Sequence, residues 1–176
     1  MGYSKKRRAA IKYSKQVSSR KHTNAVVVTN FLREFRIHPK RLSDLVHAIL
    51  KKLGYRDTSL HLIFVSDAVI KRLNQRYLNH SWATDVLAFP FSNCMGAPEA
   101  VCTRSFLGEV VISPTRARVN SKRFQVLFVD ELARYICHGI LHLKGYSDHS
   151  HRAQAAMRRA EEELLKPLHS VIKALV

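Results

Sequence analysis

Cysteine is scarce in this chain, and its few residues are poorly spaced for pairing. Cys94, Cys102 and Cys137 form an odd set without C-x-x-C spacing, which argues against a disulfide framework and points to reduced thiols of an intracellular protein. Glycine and proline are also few, with 6 and 5 in 176 residues against 46% apolar content. That balance argues against disorder over most of the length and predicts one globular domain with an ordinary core. No apolar run approaches the roughly 18 to 20 residues that span a bilayer, and the first residues lack the apolar core of a secretory signal. The expectation is a cytoplasmic protein with no membrane partner. The largest deficit is in acid: 13 Asp and Glu face 30 Lys and Arg, a formal charge of +17. Such an excess asks for a polyanionic partner, nucleic acid first.

The positive charge is unevenly spread. Residues 1–23 hold eight cations (Lys5, Lys6, Arg7, Arg8, Lys12, Lys15, Arg20 and Lys21) and no acid, and removing them from +17 leaves +9 on the other 153 residues. The expected organisation is a flexible basic arm over 1–23 followed by a single domain over 24–176. An acid-free, Ser- and Arg-containing start also suits an organellar transit peptide, but its apolar residues are too few for an amphipathic face. Phosphate contacts are the better use of the arm, and they make binding steeply salt-dependent. Tyr3 and Tyr13 add stacking groups to it.

The run Ala25–Thr29 is β-branched and predicts a first strand. Pro39 opens a helix in which Leu42, Leu45, Val46, Ile49, Leu50 and Leu53 share a face, with Gly54 at its end. Leu60–Val65 reads as a strand and Asp67 to Tyr77 as a short helix with Val69, Ile70 and Leu73 inward. A strand over Asp85–Phe91, a long loop over 92–105 rich in turn residues, and a strand over Phe106–Ile112 follow. Pro114 starts a short helix. A helix from about Gln125 to Lys144 buries Leu132, Ile136, Ile140 and Leu143, leaving Glu131, Tyr135, His138 and His142 on its other side. Ser150 caps a last long helix through Met157, Glu161, Leu164 and Leu165, which Pro167 ends or kinks. These elements predict an α+β fold: a small mixed sheet of about four strands covered by about five helices.

The chemistry is concentrated in His138-Gly139-Ile140-Leu141-His142-Leu143-Lys144-Gly145-Tyr146-Ser147-Asp148-His149. His138 and His142 are four apart, so both imidazoles leave one helix face a turn apart. Gly145 stops the helix and lets the chain fold back with a third ligand. Three protein ligands leave a fourth position for water, the arrangement of a catalytic zinc site. Two histidines a turn apart are by themselves an ordinary helix occurrence; a third candidate after a glycine break reverses that weighting. Glu131, two turns earlier on the same face, is placed to orient a ligand or to face solvent. Cys137 is about 100° round the helix from His138 and reads as a core thiol.

Residues 138–149 resemble the H-G-x-L-H-L-x-G-Y-D-H signature of the YbeY family, bacterial rRNA-maturation endoribonucleases that hold zinc by three histidines. Three further stretches agree with that family's pattern. Leu73-Asn74 with Tyr77, then Thr84-Asp85-Val86-Leu87-Ala88-Phe89-Pro90-Phe91, is similar to L-N-x-x-Y-R and T-D-V-L-S-F-P. Leu107-Gly108-Glu109-Val110-Val111-Ile112 is similar to L-G-D-I-x-I, and Met157 with Glu161 matches the closing helix. The resemblance covers about residues 25 to 166. It implies one zinc ion on His138, His142 and His149, single-stranded rRNA precursors as substrate, ribosomes or their subunits as partners, and a role in rRNA maturation and ribosome assembly or quality control. Thr84-Asp85 and Gly108-Glu109 are taken as walls of the site.

Two departures from the pattern matter. Ser147 lengthens the interval after the second histidine to six residues, 143 to 148, one more than the signature has. A bulge after Gly145 keeps His149 as third ligand; without it Asp148 takes the place, and His151 is also within reach. Leu78 stands where the family's pattern has arginine, leaving Arg76 or His80 as candidates to supply the missing charge beside the reacting phosphate. Leu78 also motivates a weakly active or non-catalytic rRNA-binding assembly factor. A zinc metallopeptidase is the other enzyme class with H-x-x-x-H, but Gly139 stands where H-E-x-x-H enzymes carry their general base.

Overall fold

The structure, a computed structural model, describes residues 24–91 and 105–176. The basic arm expected over 1–23 and the loop expected over 92–105 lie outside these residues, apart from Ser105, which opens a strand. Four strands, β1 (Ala25–Asn30), β2 (Thr58–Phe64), β3 (Val86–Pro90) and β4 (Ser105–Ile112), form one mixed sheet in the order β1-β2-β4-β3. β1, β2 and β4 run parallel and β3 is antiparallel to β4. β4 carries one extra residue, Leu107, opposite the Ser59/Leu60 step, so Ser59 faces Phe106 and Leu60 faces Gly108. β3 is an edge strand, where Pro90 forfeits no ladder bond on its free side.

Among the described residues the helices are α1 (Pro39–Lys52), α2 (Asp67–Leu78), α3 (Pro114–Phe124), α4 (Phe128–Leu143), α5 (His151–Leu165) and a short α6 (His169–Lys173) after a 3₁₀ turn at Lys166–Leu168. The α+β architecture read from the sequence is present. Strand alternation sorts β2 cleanly: Leu60, Leu62 and Phe64 are fully buried, toward α1 and α4 in the main core. Leu42, Leu45, Val46, Ile49 and Leu50 of α1 complete that layer. On the opposite face α2 covers Leu87 and Val111 with Ile70, flanked by Val69 and Leu73.

Two readings of α4 change. The helix begins at Phe128, not Gln125, because Gln125 is left-handed (φ 56°) and ends α3. Its second face is also not a polar outer side: Glu131 and Tyr135 are buried, as are Val129, Ala133, Cys137 and Leu141. α4 is the central helix, packed by the sheet, α3 and α5 at once, so past its first turn only the site-facing histidines and Arg134 keep appreciable exposure.

Candidate metal centre

The floor of the site is set by how closely α4 approaches the sheet. A Cβ at Gly139 would lie 2.3 Å from Val110 Cγ1 and 3.0 Å from Val86 Cγ2, so only glycine lets the helix settle on β3 and β4. With that contact in place, His138 and His142 of the same helix line the cleft beside β3 residues Val86–Phe89. It also leaves no room at position 139 for a glutamate. Gly145, with φ +96°, then closes α4: its N–H donates to His142 O (2.9 Å) and the N–H of Tyr146 to Leu141 O (3.0 Å). That pair of bonds is the Schellman closure, which favours glycine at the left-handed position. The reversed chain brings the Tyr146 carbonyl back onto the helix, 3.0 Å from His142 Nδ1.

These contacts dictate where the ring protons sit. A carbonyl only accepts, so His142 Nδ1 carries the proton and donates to Tyr146 O. His138 Nδ1 donates to Glu161 Oε1 at 2.7 Å. In the neutral rings both Nε2 atoms are therefore acceptors, and they converge to 2.9 Å. Two facing lone pairs repel unless a cation lies between or beside them. Asp148 Oδ2 stands 3.9 Å from His142 Nε2, and ligand atoms of His138, His142 and Asp148 all lie within 4.8 Å of one another. Two imidazole nitrogens and a carboxylate oxygen form a donor set that can hold a metal ion, and zinc accepts it.

Glu161 is the partner that sequence reasoning did not assign to His138. It is buried on α5 (5% exposed), so its carboxylate faces the imidazole in a poorly solvated place. Burial alone pulls the pKa of His138 down, but the Glu161 hydrogen bond and charge, with Asp85 and Asp148, outweigh it and leave the pKa above the ordinary value. Glu131 does not contact a ligand in this way; it pairs with Arg134 at 3.6 Å, and burial, opposed by Arg134 and Tyr135, raises its carboxyl pKa. Cys137 is a core thiol as expected, fully buried, with burial and Glu161 pushing its pKa up to about 12.

The remaining candidates separate sharply. Asp148 faces the histidines because Gln154 of α5 donates to its carbonyl at 3.0 Å. The His149 side chain is 94% exposed, with Nδ1 4.0 Å from Asp148 Oδ1. The extra residue, Ser147, accepts the His149 N–H on its hydroxyl (3.3 Å), a local turn that turns Asp148 inward and His149 outward. His151 is the exposed first residue of α5, behind Ser150, whose hydroxyl caps the helix through Ala153 N. Together His138, His142, Asp148 and His149 line a cleft of about 750 Å³ with Asn74, Tyr77, Leu78, His80, Trp82, Thr84, Asp85 and β3 residues Val86–Phe89. Leu78 and His80 thus reach the site. Arg76 does not line it; its guanidinium lies 5.7 Å over the Tyr77 ring. Thr84 and Asp85 are walls as expected, whereas Gly108 and Glu109 are not: Glu109 instead pairs with His61 Nδ1 at 3.2 Å.

Comparison with known proteins places the chain in a family. Residues 27–169 match the family model of endoribonuclease YbeY. The chain is 31% identical over 147 residues to an endoribonuclease YbeY of Syntrophus aciditrophicus, covering 82% of this chain and 90% of that protein. It is 36% identical over 129 residues to one of Treponema denticola, covering 73% and 83%. A Thermotoga maritima protein known from its solution structure superposes with a TM-score of 0.52 at 27% identity, over 82% of this chain and 92% of that one.

Proposed function

The chain belongs to the endoribonuclease YbeY family, and on that premise we propose that it is a zinc-dependent endoribonuclease cutting single-stranded rRNA precursors in the cytoplasm. Its role is in rRNA maturation and ribosome assembly or quality control, with ribosomal subunits as partners. One observation carries the metal part of this reading: two imidazole Nε2 acceptors held 2.9 Å apart at the floor of a cleft, beside a carboxylate. The charge of +17 supports a polyanionic substrate, and among the described residues no helix is long and apolar enough to cross a membrane.

The ligands are His138 and His142 through Nε2, with Asp148 as third. Zinc bound there supplies Lewis acidity and a nucleophilic water at neutral pH. The protein's own residues prepare that chemistry. Glu161 and the Tyr146 carbonyl hold both Nδ1 protons, so each Nε2 presents a lone pair without reorganisation. Asp85, on the cleft wall, accepts from the Thr84 hydroxyl (3.0 Å) and the Val86 N–H (2.9 Å), which fixes it as a wall rather than leaving it free to swing. The metallopeptidase reading loses its base on steric grounds, since position 139 faces the sheet and admits no side chain. His80 is the imidazole of the cleft wall nearest in sequence to Leu78, which stands where the family's pattern has arginine.

Cleavage of a single-stranded rRNA precursor by the full chain is expected to stop with chelator and return with zinc. It should also be lost in His138→Ala and His142→Ala; cleavage that survives both substitutions overturns the assignment. Asp148→Ala should weaken zinc in a chelator competition far more than His149→Ala does, and the opposite order reinstates His149 as the ligand. Leu78→Arg separates the binding-only alternative. Chelator-sensitive turnover in the unmodified chain rejects that alternative, whereas turnover that appears only with arginine supports it.

A further inference from the structure

The cleft wall contains a feature that metal binding does not use. The His80 and Trp82 rings stack face to face, centroids 4.4 Å apart and planes 14° from parallel, while Trp82 remains 57% exposed. Nothing in the core requires this. A large aromatic left this open usually turns inward, because burying it removes apolar surface from water. Here the chain prevents that. Asn74, only 1% exposed, donates from Nδ2 to the Trp82 carbonyl (2.9 Å), and its own carbonyl accepts the N–H of Asn79 and of His80 (3.3 Å). Asn79 is left-handed at φ 58°, which turns the chain sharply at the end of α2. The buried side-chain amide of Asn74 thus ties the Trp82 end of the turn, and the backbone carbonyl of the same residue ties its Asn79–His80 end.

The rings stand in the same cleft as His138, His142 and Asp148. Tyr77 is a second exposed aromatic of that wall, held edge-on by Phe89 at 5.1 Å. The helix leading into the turn carries exposed Lys71, Arg72 and Arg76. Flat open π faces, pinned by a buried amide and flanked by cations beside a metal-capable group, match one chemistry: an unpaired nucleobase stacking while its phosphates follow the basic helix. A base inside a duplex has both faces covered and cannot use such a platform.

We infer that the His80–Trp82 pair is a base-stacking platform that seats an unpaired nucleobase of the RNA next to the metal centre. The inference rests on the nuclease reading above for its substrate, and it makes these two side chains positioning residues that select single strands. Trp82 is the chain's only tryptophan, so its fluorescence reports the platform alone.

The test uses the full chain with chelator present, so that no cleavage intervenes, titrated with a short single-stranded oligoadenylate, the same length with abasic sites, and an RNA duplex. The oligoadenylate should quench Trp82 saturably; the abasic strand and the duplex should leave it largely unquenched. Trp82→Ala should weaken oligoadenylate binding, followed by anisotropy, by roughly ten-fold or more, with Trp82→Phe in between. Unchanged thermal unfolding is expected, since the ring is exposed. Equal quenching by abasic or duplex RNA, or unaltered affinity in Trp82→Ala, overturns the platform. Zinc-dependent cleavage is measured separately on the same strand. Quenching without cleavage under any metal fails the nuclease reading and keeps the platform; cleavage with unaltered Trp82→Ala affinity does the reverse.

Discussion

At the scale of single residues, Glu161 orients a histidine of the candidate metal group from another helix. Its carboxylate holds the Nδ1 proton of His138 and raises that imidazole's pKa against the pull of burial. Glu161→Gln keeps an acceptor and removes the charge, so zinc affinity should fall roughly 10- to 100-fold, read by chelator competition. The metal-free variant should show His138 titrating at lower pH by NMR. The sign for stability follows from the raised folded value. In metal-free protein the protonated ring's contribution is fully present below the ordinary histidine pKa and is lost as pH rises through the folded one. Zinc needs the neutral ring and shows the opposite trend, binding more weakly as the pH falls. Glu131 acts in the same direction as His138. Its raised pKa means the folded chain holds that proton more tightly, so stability drops as pH climbs above the ordinary carboxylate range. Glu131→Gln should flatten this slope in urea titrations across acid to neutral pH; a slope unchanged from the parent would show that the buried carboxyl does not titrate in this range. His138 and His142 were legible from their spacing together with a further candidate ligand after the Gly145 break. Glu161 was not, because a contact between α4 and α5 leaves no periodic mark in either helix.

At the scale of elements, α4 is placed by a glycine. Gly139→Ala puts a Cβ 2.3 Å from Val110 Cγ1, and this overpacking should cost roughly 1–3 kcal/mol in urea unfolding. It should also lower zinc affinity, since the shift moves His138 directly; a variant with parental stability would show that the helix can retreat from the sheet freely. Helices with one wet face declared themselves. The Leu42 to Leu50 stripe of α1 is the buried stripe in the fold, and Pro39 and Gly54 bound it as capping chemistry predicts. α4 did not, because a helix packed on several sides has no polar face to complete the pattern. Its start was misplaced for a different reason: a left-handed glutamine gives no signal that a glycine or asparagine would have given.

At the scale of the whole molecule, the charge of +17 is a statement about partners rather than fold. Binding of a single-stranded oligonucleotide should weaken steeply with salt, by about 0.7 in log K per log salt for each phosphate neutralised. Deleting residues 1–23, which carry eight of the cations, should reduce that slope while leaving zinc affinity intact; an unchanged slope would remove the arm from RNA binding. By itself the sequence determined the α+β class, the amphipathic elements, the histidine pair and the basic character, since each follows from local spacing or from simple composition. Only the tertiary structure brings Asp148 within reach of the two histidines, in a group that could hold a metal ion. The sequence favours His149 over its neighbour Asp148, whereas in the fold Asp148 faces the pair, with Ser147 closing a turn and Gln154 holding the Asp148 carbonyl across the loop. The pinned aromatic turn belongs to the same class of result: Asn74 and Trp82 meet only when α2 ends, and a buried amide is recognised by what it ties together.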